Sequence, residues 1–335
     1  MFDMDQKIDF QAQENATKMI GYVKRAAEIT HTVIMADKKA SKAVSAIQTQ
    51  DKSRKWTVLQ EYLKEYPIFC VPLVVTSGTE SYRDNIDITV ETIYARQKNE
   101  NFKTSLPRPQ DIEDVYSAIA RQGYTHVIVL MIAECLSSAN NLMRLAAEEH
   151  PELTVKVFDS KSASIGLGAL AVQVARYAVR GVAFDPLCEL TKRLIDDTVV
   201  YFSLDTLEYL QRGGRIGRAT ALAGGLLQIK PILTFDRKDG MISTAAKVRG
   251  RRGVQQRLIE LATELAAKHP GEEYNLVVCD GNVPEEGAAL EAALTRALPN
   301  AHRVLHGKID ATLAVHLGPN LLGVGVQFLN SKLPA

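Results

Sequence analysis

Residues 127–141 carry the sequence VIVLMIAECLSSANN, in which an apolar run leads directly into a polar segment rich in hydroxyl and amide side chains. The run Val127–Ile132 is short and rich in β-branched residues, which predicts a buried strand. The apolar spacing over Ala139–Glu149 predicts that a helix follows it. A strand followed at once by a helix is the repeating unit of α/β proteins.

The same alternation extends from Tyr66 to the end of the chain. Further strands are predicted at Ile68–Val75, Val155–Phe158, Val199–Phe202, Ile232–Phe235, Leu276–Cys279 and Val324–Phe328. Further helices are predicted at Ile112–Arg121, Gly168–Val179, Pro186–Asp196, Val254–Lys268 and Glu285–Leu298. Continuous apolar strands between helices indicate parallel sheets covered on both faces. The length of 335 residues fits two such domains, which we place at residues 66–160 and 161–335, and the C-terminal strand could return to their interface.

Residues 1–65 differ from the rest, because they contain no proline and a single glycine, Gly21. Their apolar residues recur at steps of three, four or seven between Ile20 and Ile47, which predicts a helical N-terminal extension. Such a helix would pack on the main body or on a second copy of the chain, giving a homo-oligomer. A membrane-surface helix is the alternative.

The composition excludes several classes of protein. Lys plus Arg is 40 and Asp plus Glu is 39, so the net charge of +1 argues against a nucleic-acid binder. The four cysteines are too far apart for a metal or redox motif, and no group of histidines has metal-ligand spacing. The N-terminus does not resemble a signal peptide, and the longest uncharged stretch, 311–331, is too polar to span a membrane. We therefore expect a cytoplasmic protein without a transmembrane segment.

Two segments place hydroxyl groups beside predicted helices. Thr104 and Ser105 precede Pro107, and Ser137 and Ser138 follow the strand Val127–Ile132. Hydroxyls at these positions can cap a helix or donate to the oxygens of a ligand, and the residue types leave both roles open. The second segment leaves the end of a buried strand, where ligands of α/β proteins usually bind.

Four other features have a structural and a functional interpretation. Residues 159–168 contain glycines without the spacing of a phosphate loop, which favours close packing. Arg215 follows the turn Gly213–Gly214 and would either bind a carboxylate or brace the domain interface. Lys247 and Arg249 would share one side of a strand and form a solvated face or a basic spot for a partner. His316 precedes Gly318–Pro319, a tight loop that would orient its ring.

In their order along the chain, these motifs resemble those of the DegV family of bacterial fatty-acid-binding proteins, over about three quarters of the sequence. The motifs that carry the resemblance are Ser81-Tyr82-Arg83-Asp84, Asp159-Ser160 with Gly166-Leu167-Gly168, Leu207-Glu208-Tyr209-Leu210 with Gly213-Gly214-Arg215-Ile216, Leu227-Gln228-Ile229-Lys230-Pro231-Ile232, Lys247-Val248-Arg249 and His316-Leu317-Gly318-Pro319.

The resemblance implies two α/β domains with a long-chain fatty acid in a tunnel between them. It implies a carrier without catalytic residues, metal or cofactor, which presents the lipid carboxylate to a separate ATP-dependent kinase for acyl-phosphate formation. Arg215, Lys247 and Arg249 become supporting or partner-facing residues. The residues that would bind the carboxylate are Thr104, Ser105, Ser137, Ser138 and His316.

This sequence departs from the family pattern at three places. Leu106 stands where the family usually has Gln, and Ser138-Ala139 replaces Gly-Thr. The usual opening strand, which ends in Thr-Asp-Ser-Thr, is not evident, and the predicted helical extension stands there instead. The alternative function is a small-molecule phosphotransferase or hydrolase in the interdomain cleft, with His316 and Ser137 as its active groups.

Overall fold

The computed structural model describes residues 32–37, 56–58, 66–222 and 229–329, and these form alternating layers of helices and sheets. The strands are β1 (Thr32–Asp37), β2 (Trp56–Val58), β3 (Ile68–Cys70), β4 (Val74–Ser77), β5 (Glu80–Arg83), β6 (Phe102–Ser105), β7 (His126–Met131), β8 (Thr154–Asp159), β9 (Thr198–Ser203), β10 (Ile229–Phe235), β11 (Ile242–Arg249), β12 (Tyr274–Gly281), β13 (Arg303–Lys308) and β14 (Leu321–Phe328). The helices are α1 (Val90–Arg96), α2 (Pro109–Arg121), α3 (Ala139–Glu148), α4 (Ile165–Val179), α5 (Phe184–Asp196), α6 (Glu208–Arg212), α7 (Gly250–Ala267), α8 (Pro284–Ala297) and α9 (Ala311–Leu317).

Two large sheets form the framework, with strand orders β3-β1-β7-β8 and β11-β10-β9-β14-β12-β13-β2. Successive side chains of a strand point to opposite faces. On β7, Val127 and Val129 therefore pack with α2 and α3, while Ile128 and Leu130 face the middle of the molecule. The larger sheet likewise packs one face on α7 and α8 and turns the other inward.

Helix α4 fills the space between the two sheets. It contacts β1 and β7 on one side and β9, β12, β13 and β14 on the other. All of its residues except Ala178 are buried, including Arg176 at 1% exposed. A helix between two sheets needs apolar residues on every side, which explains why this segment lacks a polar stripe. The layers therefore run helices, sheet, helix α4, sheet, helices.

A small sheet of order β5-β4-β6 completes the fold. It pairs in the antiparallel sense throughout, and β4 and β6 contact helix α9 from the C-terminal part of the chain. Helix α1, which follows β5, also contacts α9. Elements from the two halves of the sequence are thus held against each other at α9.

The α/β class is confirmed, but the expectation of parallel sheets is wrong. In the larger sheet only β12–β13 and β13–β2 pair in parallel, and in the smaller framework sheet only β7–β8 does. The apolar runs arise because helices cover both faces of these strands. A strand that is buried on both faces is apolar along its whole length whether its neighbours run parallel or antiparallel to it. An apolar run therefore does not determine strand direction.

The helical interpretation of residues 1–65 is wrong at residues 32–37 and 56–58. The first segment is strand β1, paired with β3 on one side and β7 on the other, and the second is β2, paired with β13. Backbone pairing within a sheet outweighs a weak helical periodicity. The opening strand that the sequence did not reveal is therefore present and ends at Asp37. The rest of the predicted extension, and the oligomer contact assigned to it, lie outside the described residues.

We propose to keep the domain boundary near residue 160, since β8 ends the first framework sheet at Asp159 and α4 begins at Ile165. Strand β1 joins the first domain and β2 the second. The C-terminal strand β14 lies between β9 and β12 inside the second domain's sheet. In the part of the chain that the structure describes, no helix combines the length and hydropathy needed to cross a bilayer.

Candidate functional site

An apolar cavity of about 280 Å³ lies between the two halves of the chain, beside the start of α4. Its walls come from both domains, and most of them are apolar side chains. The apolar lining residues are Leu73, Leu106, Ile132, Leu136, Ala163, Ile165, Val200, Phe202, Leu210, Phe235, Ile242, Cys279, Leu313, Leu317 and Leu321. Burial raises the pKa of the Cys279 thiol, which therefore stays protonated and contributes to the apolar wall.

A hydrogen bond across the domain interface marks the polar part of this cavity. Thr104 Oγ1 lies 2.8 Å from His316 Nε2, although the two residues are 212 positions apart. Thr104 is in strand β6, and His316 is in the last turn of helix α9. The contact of β6 with α9 therefore aligns the hydroxyl and the imidazole at the cavity wall.

The other predicted hydroxyls line the same cavity. Ser105 ends β6, and Ser137 and Ser138 lie in the loop between β7 and α3. The capping role left open for Thr104 and Ser105 is wrong, because α2 begins only at Pro109 and its first turn has no side-chain cap. Ser137 Oγ accepts a hydrogen bond from Ala139 N at 3.3 Å, whereas Ser138 makes no capping bond. Accepting a bond leaves the hydroxyl proton of Ser137 able to donate.

Arg215 lines the cavity and braces the loop that carries these serines. Its Nε donates to Leu136 O at 3.2 Å, and its Nη1 donates to Gly213 O at 2.7 Å. The guanidinium thus ties the turn after α6 to the loop after β7, which is the bracing role that the sequence left open. Lys247 and Arg249 are both exposed on strand β11 and are not among the lining residues.

Sequence reasoning missed two hydroxyl groups in the cavity wall. Ser164 Oγ and Thr312 Oγ1 are buried without a hydrogen-bond partner among the residues that the structure describes. Ser164 adopts φ of +54°, a conformation that is uncommon outside glycine and that its sequence context did not reveal. Thr312 could have been found, because it lies four residues before His316 and thus on the same face of α9.

Within residues 159–168, Gly166 has the packing role that the sequence favoured. A Cβ at Gly166 would come within 2.9 Å of Val200 Cγ2, so only glycine allows α4 to approach strand β9 this closely.

At the mouth of the cavity, Leu106 is 38% exposed. An apolar side chain therefore occupies the position where the family pattern has an amide.

Asp84 fixes the helix that carries His316. Its side chain is 5% exposed and accepts hydrogen bonds from Ala311 N at 3.1 Å and Thr312 N at 3.0 Å. A carboxylate at a helix N-terminus satisfies amides that have no partner within the helix and interacts favourably with the helix dipole. Asp84 lies directly after β5, so it anchors α9 to the small sheet.

We expect Asp84→Ala to lower the free energy of unfolding by about 2 kcal/mol or more, because two buried amides lose their acceptor. Urea denaturation of the two proteins measures the difference. The exposed Asp114 of α2 provides the control, and Asp114→Ala should change the stability by less than about 0.5 kcal/mol. An Asp84→Ala protein as stable as the Asp114→Ala protein would contradict the anchoring role.

The structure offers little that would bind a metal. In the described ranges, no group of three or more His, Cys, Asp or Glu side chains has the geometry of a metal site. The polar groups of the cavity are hydroxyls, one imidazole and one guanidinium. This arrangement is suited to donating hydrogen bonds to an anionic group at one end of an apolar ligand.

A family model and a curated relative both match this chain to the DegV family. The family model described as "Uncharacterised protein, DegV family" matches residues 56–329. A DegV domain-containing protein of Clostridium acetobutylicum is 32% identical over 266 residues, which cover 79% of this chain and 93% of the relative.

Two solved structures are similar over most of their length. A fatty-acid-binding DegV family protein from Thermus thermophilus has a TM-score of 0.72 and 30% identity, covering 78% of this chain and 92% of its own. A stearic acid-binding protein from Eubacterium ventriosum has a TM-score of 0.73 and 28% identity, covering 80% of this chain and 94% of its own.

Proposed function

This chain belongs to the DegV family, and from that membership we propose that it is a carrier of long-chain fatty acids. The observation that carries the proposal is the apolar cavity between the domains, whose polar part is marked by the Thr104–His316 hydrogen bond. Burying each methylene contributes about 0.8 kcal/mol, so an acyl chain gains much of its affinity from such walls. The cytoplasmic location stays a prediction.

The head of the lipid would need hydrogen-bond donors, because an unpaired buried carboxylate is very costly. Hydroxyls can hold the carboxylate without forming an ion pair, which leaves its oxygens nucleophilic. Two donor groups of Arg215 are already bonded to backbone carbonyls, so we assign that residue a supporting role. We assign carboxylate binding to Thr104, Ser105, Ser137, Ser138 and His316.

The finer part of the proposal is that a separate kinase phosphorylates the bound carboxylate. A carboxylate oxygen would form a bond to the γ-phosphorus of ATP as the bond from that phosphorus to the β,γ-bridging oxygen breaks, and ADP would leave with the electron pair. Lys247 and Arg249 are exposed on β11 and suit an acidic patch on such a partner.

The alternative of a phosphotransferase or hydrolase has less support. Among the described residues, no Asp or Glu lines the apolar cavity. A histidine that activates a serine is usually oriented by such a carboxylate. The hydroxyls and His316 therefore suit binding better than catalysis by this chain alone.

Native mass spectrometry of the purified full chain tests the proposal. We expect a bound species with the mass of a long-chain fatty acid, or a one-to-one complex after palmitate is added. We also expect no phosphate transfer when the loaded protein is incubated with ATP alone. An apo protein that takes up no added fatty acid would refute the carrier, and transfer without a partner would favour the enzyme.

A further inference from the structure

Two loops of the first domain meet at the wall of the apolar cavity. The loop after β7, residues 132–138, contributes Ser137 and Ser138 to that wall, and the loop after β8, residues 160–164, contributes Ser164. Ser138 and Ser164 directly precede α3 and α4, yet neither side chain caps its helix. The positions of these hydroxyls therefore depend on what holds the two loop backbones.

Asp159, the last residue of β8, joins the backbones of the two loops. Its Oδ1 accepts a hydrogen bond from Lys161 N at 2.9 Å and another from Glu134 N, 25 positions earlier, at 3.2 Å. The side chain is half-buried, and Asp159 does not line the apolar cavity. It therefore acts on the cavity wall through backbone amides and not through contact with a ligand.

The bond to Lys161 stabilises a backbone conformation that a lysine does not favour by itself. Lys161 has φ of +51°, which is uncommon outside glycine. An aspartate that accepts a hydrogen bond from the amide two residues further on fixes a turn in its own backbone. Removing this acceptor would therefore allow the loop that leads to Ser164 to relax.

Contacts between the two loops make them one unit. Ala133 N donates to Ser162 O at 2.9 Å, and Gly240, in the turn between β10 and β11, packs on both loops. A Cβ at Gly240 would come within 2.8 Å of Ala133 Cβ and within 3.0 Å of Lys161 Cα. The second domain therefore packs beside the residues that Asp159 joins.

We propose that Asp159 is a positioning residue for the lipid carboxylate, which holds the two loops so that Ser137 and Ser138 donate to the lipid head. This inference rests on the proposed carrier function. One oxygen accepts from both amides, so a change in its position moves both loops. The effect should fall on affinity for the charged head, because the acyl chain contacts walls that elements of both domains supply.

Displacement of a fluorescent fatty acid from the full chain by palmitate, and by hexadecanol as an uncharged lipid of the same length, tests the proposal. We expect Asp159→Ala to weaken palmitate binding about tenfold and to leave hexadecanol binding within about twofold. Asp159→Asn keeps an acceptor oxygen in place and should bind palmitate within about threefold of the wild type. Asp159→Glu keeps the charge but moves the oxygens by one methylene, so it should weaken palmitate binding as Asp159→Ala does.

Asp114 of α2 provides the control, since it is exposed and does not line the cavity, and Asp114→Ala should change neither affinity. Thermal melts check that each variant folds, and Asp159→Glu replaces Asp159→Ala in the comparison if only the alanine variant is unfolded. The inference is overturned if the folded variants weaken both lipids equally or neither, or if Asp159→Asn loses as much palmitate affinity as Asp159→Ala. It also fails if neither Asp159→Ala nor Asp159→Glu folds, since the role of Asp159 is then in folding. If the wild type binds neither lipid, the carrier function itself fails.

Discussion

Val200→Trp is expected to weaken palmitate binding about fiftyfold, because the indole would occupy space that the acyl chain needs. Val200 lies on β9, is 6% exposed and lines the apolar cavity. The larger side chain fills the volume of about three methylenes, and at about 0.8 kcal/mol for each the loss is roughly 2.4 kcal/mol. Val200→Phe should cause a smaller loss in the same direction.

Displacement of a fluorescent fatty acid measures these affinities. The neighbouring Val199 provides the control, since it is half-buried on the opposite face of the same strand and does not line the cavity. Val199→Trp should leave palmitate binding within about threefold, while thermal melts check that each variant folds. Undiminished palmitate binding by a folded Val200→Trp protein would mean that the acyl chain does not occupy this cavity.

Thr104→Val is expected to weaken palmitate binding by about 10- to 100-fold, since a hydrogen bond to a charged group contributes roughly 1.5–3 kcal/mol. The substitution keeps the shape of the side chain and removes only the hydroxyl that lies 2.8 Å from His316 Nε2. The lost binding free energy should come from the contact with the lipid carboxylate and not from contacts with the acyl chain. Hexadecanol, which has the same chain length but no carboxylate, should bind both proteins with similar affinity.

The comparison of the two lipids separates a role in binding from a role in packing. An equal loss for palmitate and hexadecanol would show that Thr104 only shapes the cavity, and no loss for either would show that it does not contact the head. Thr244 is exposed on β11 and lies outside the cavity, so Thr244→Val serves as the matched control and should change neither affinity.

The sequence predicted the α/β class and the buried strands, but not the strand directions or strand β1. Buried strands such as Val127–Ile132 have a strong local signal, because both of their faces are covered. Strand direction has no such signal. The sequence therefore led to a prediction of parallel sheets, whereas most of the strand pairs are antiparallel. Strand β1 was missed because Thr32–Asp37 lies in a segment rich in Ala and Lys, and its pairing with β3 and β7 depends on residues far along the chain.

The candidate site was predictable through family resemblance and not from local pattern. Thr104 and His316 are brought together by the packing of β6 on α9, which no local spacing reveals. Ser164 was missed because a serine gives no local sequence signal for a positive φ, which is uncommon outside glycine.

A crystal structure of the full chain grown with palmitate tests the lipid-carrier proposal most directly. We predict continuous density for an acyl chain against Val200 and Phe202, with a carboxylate oxygen about 2.5–3.2 Å from Thr104 Oγ1. Palmitate bound elsewhere, or lying in this cavity with its carboxylate turned away from Thr104 and His316, would contradict the proposal.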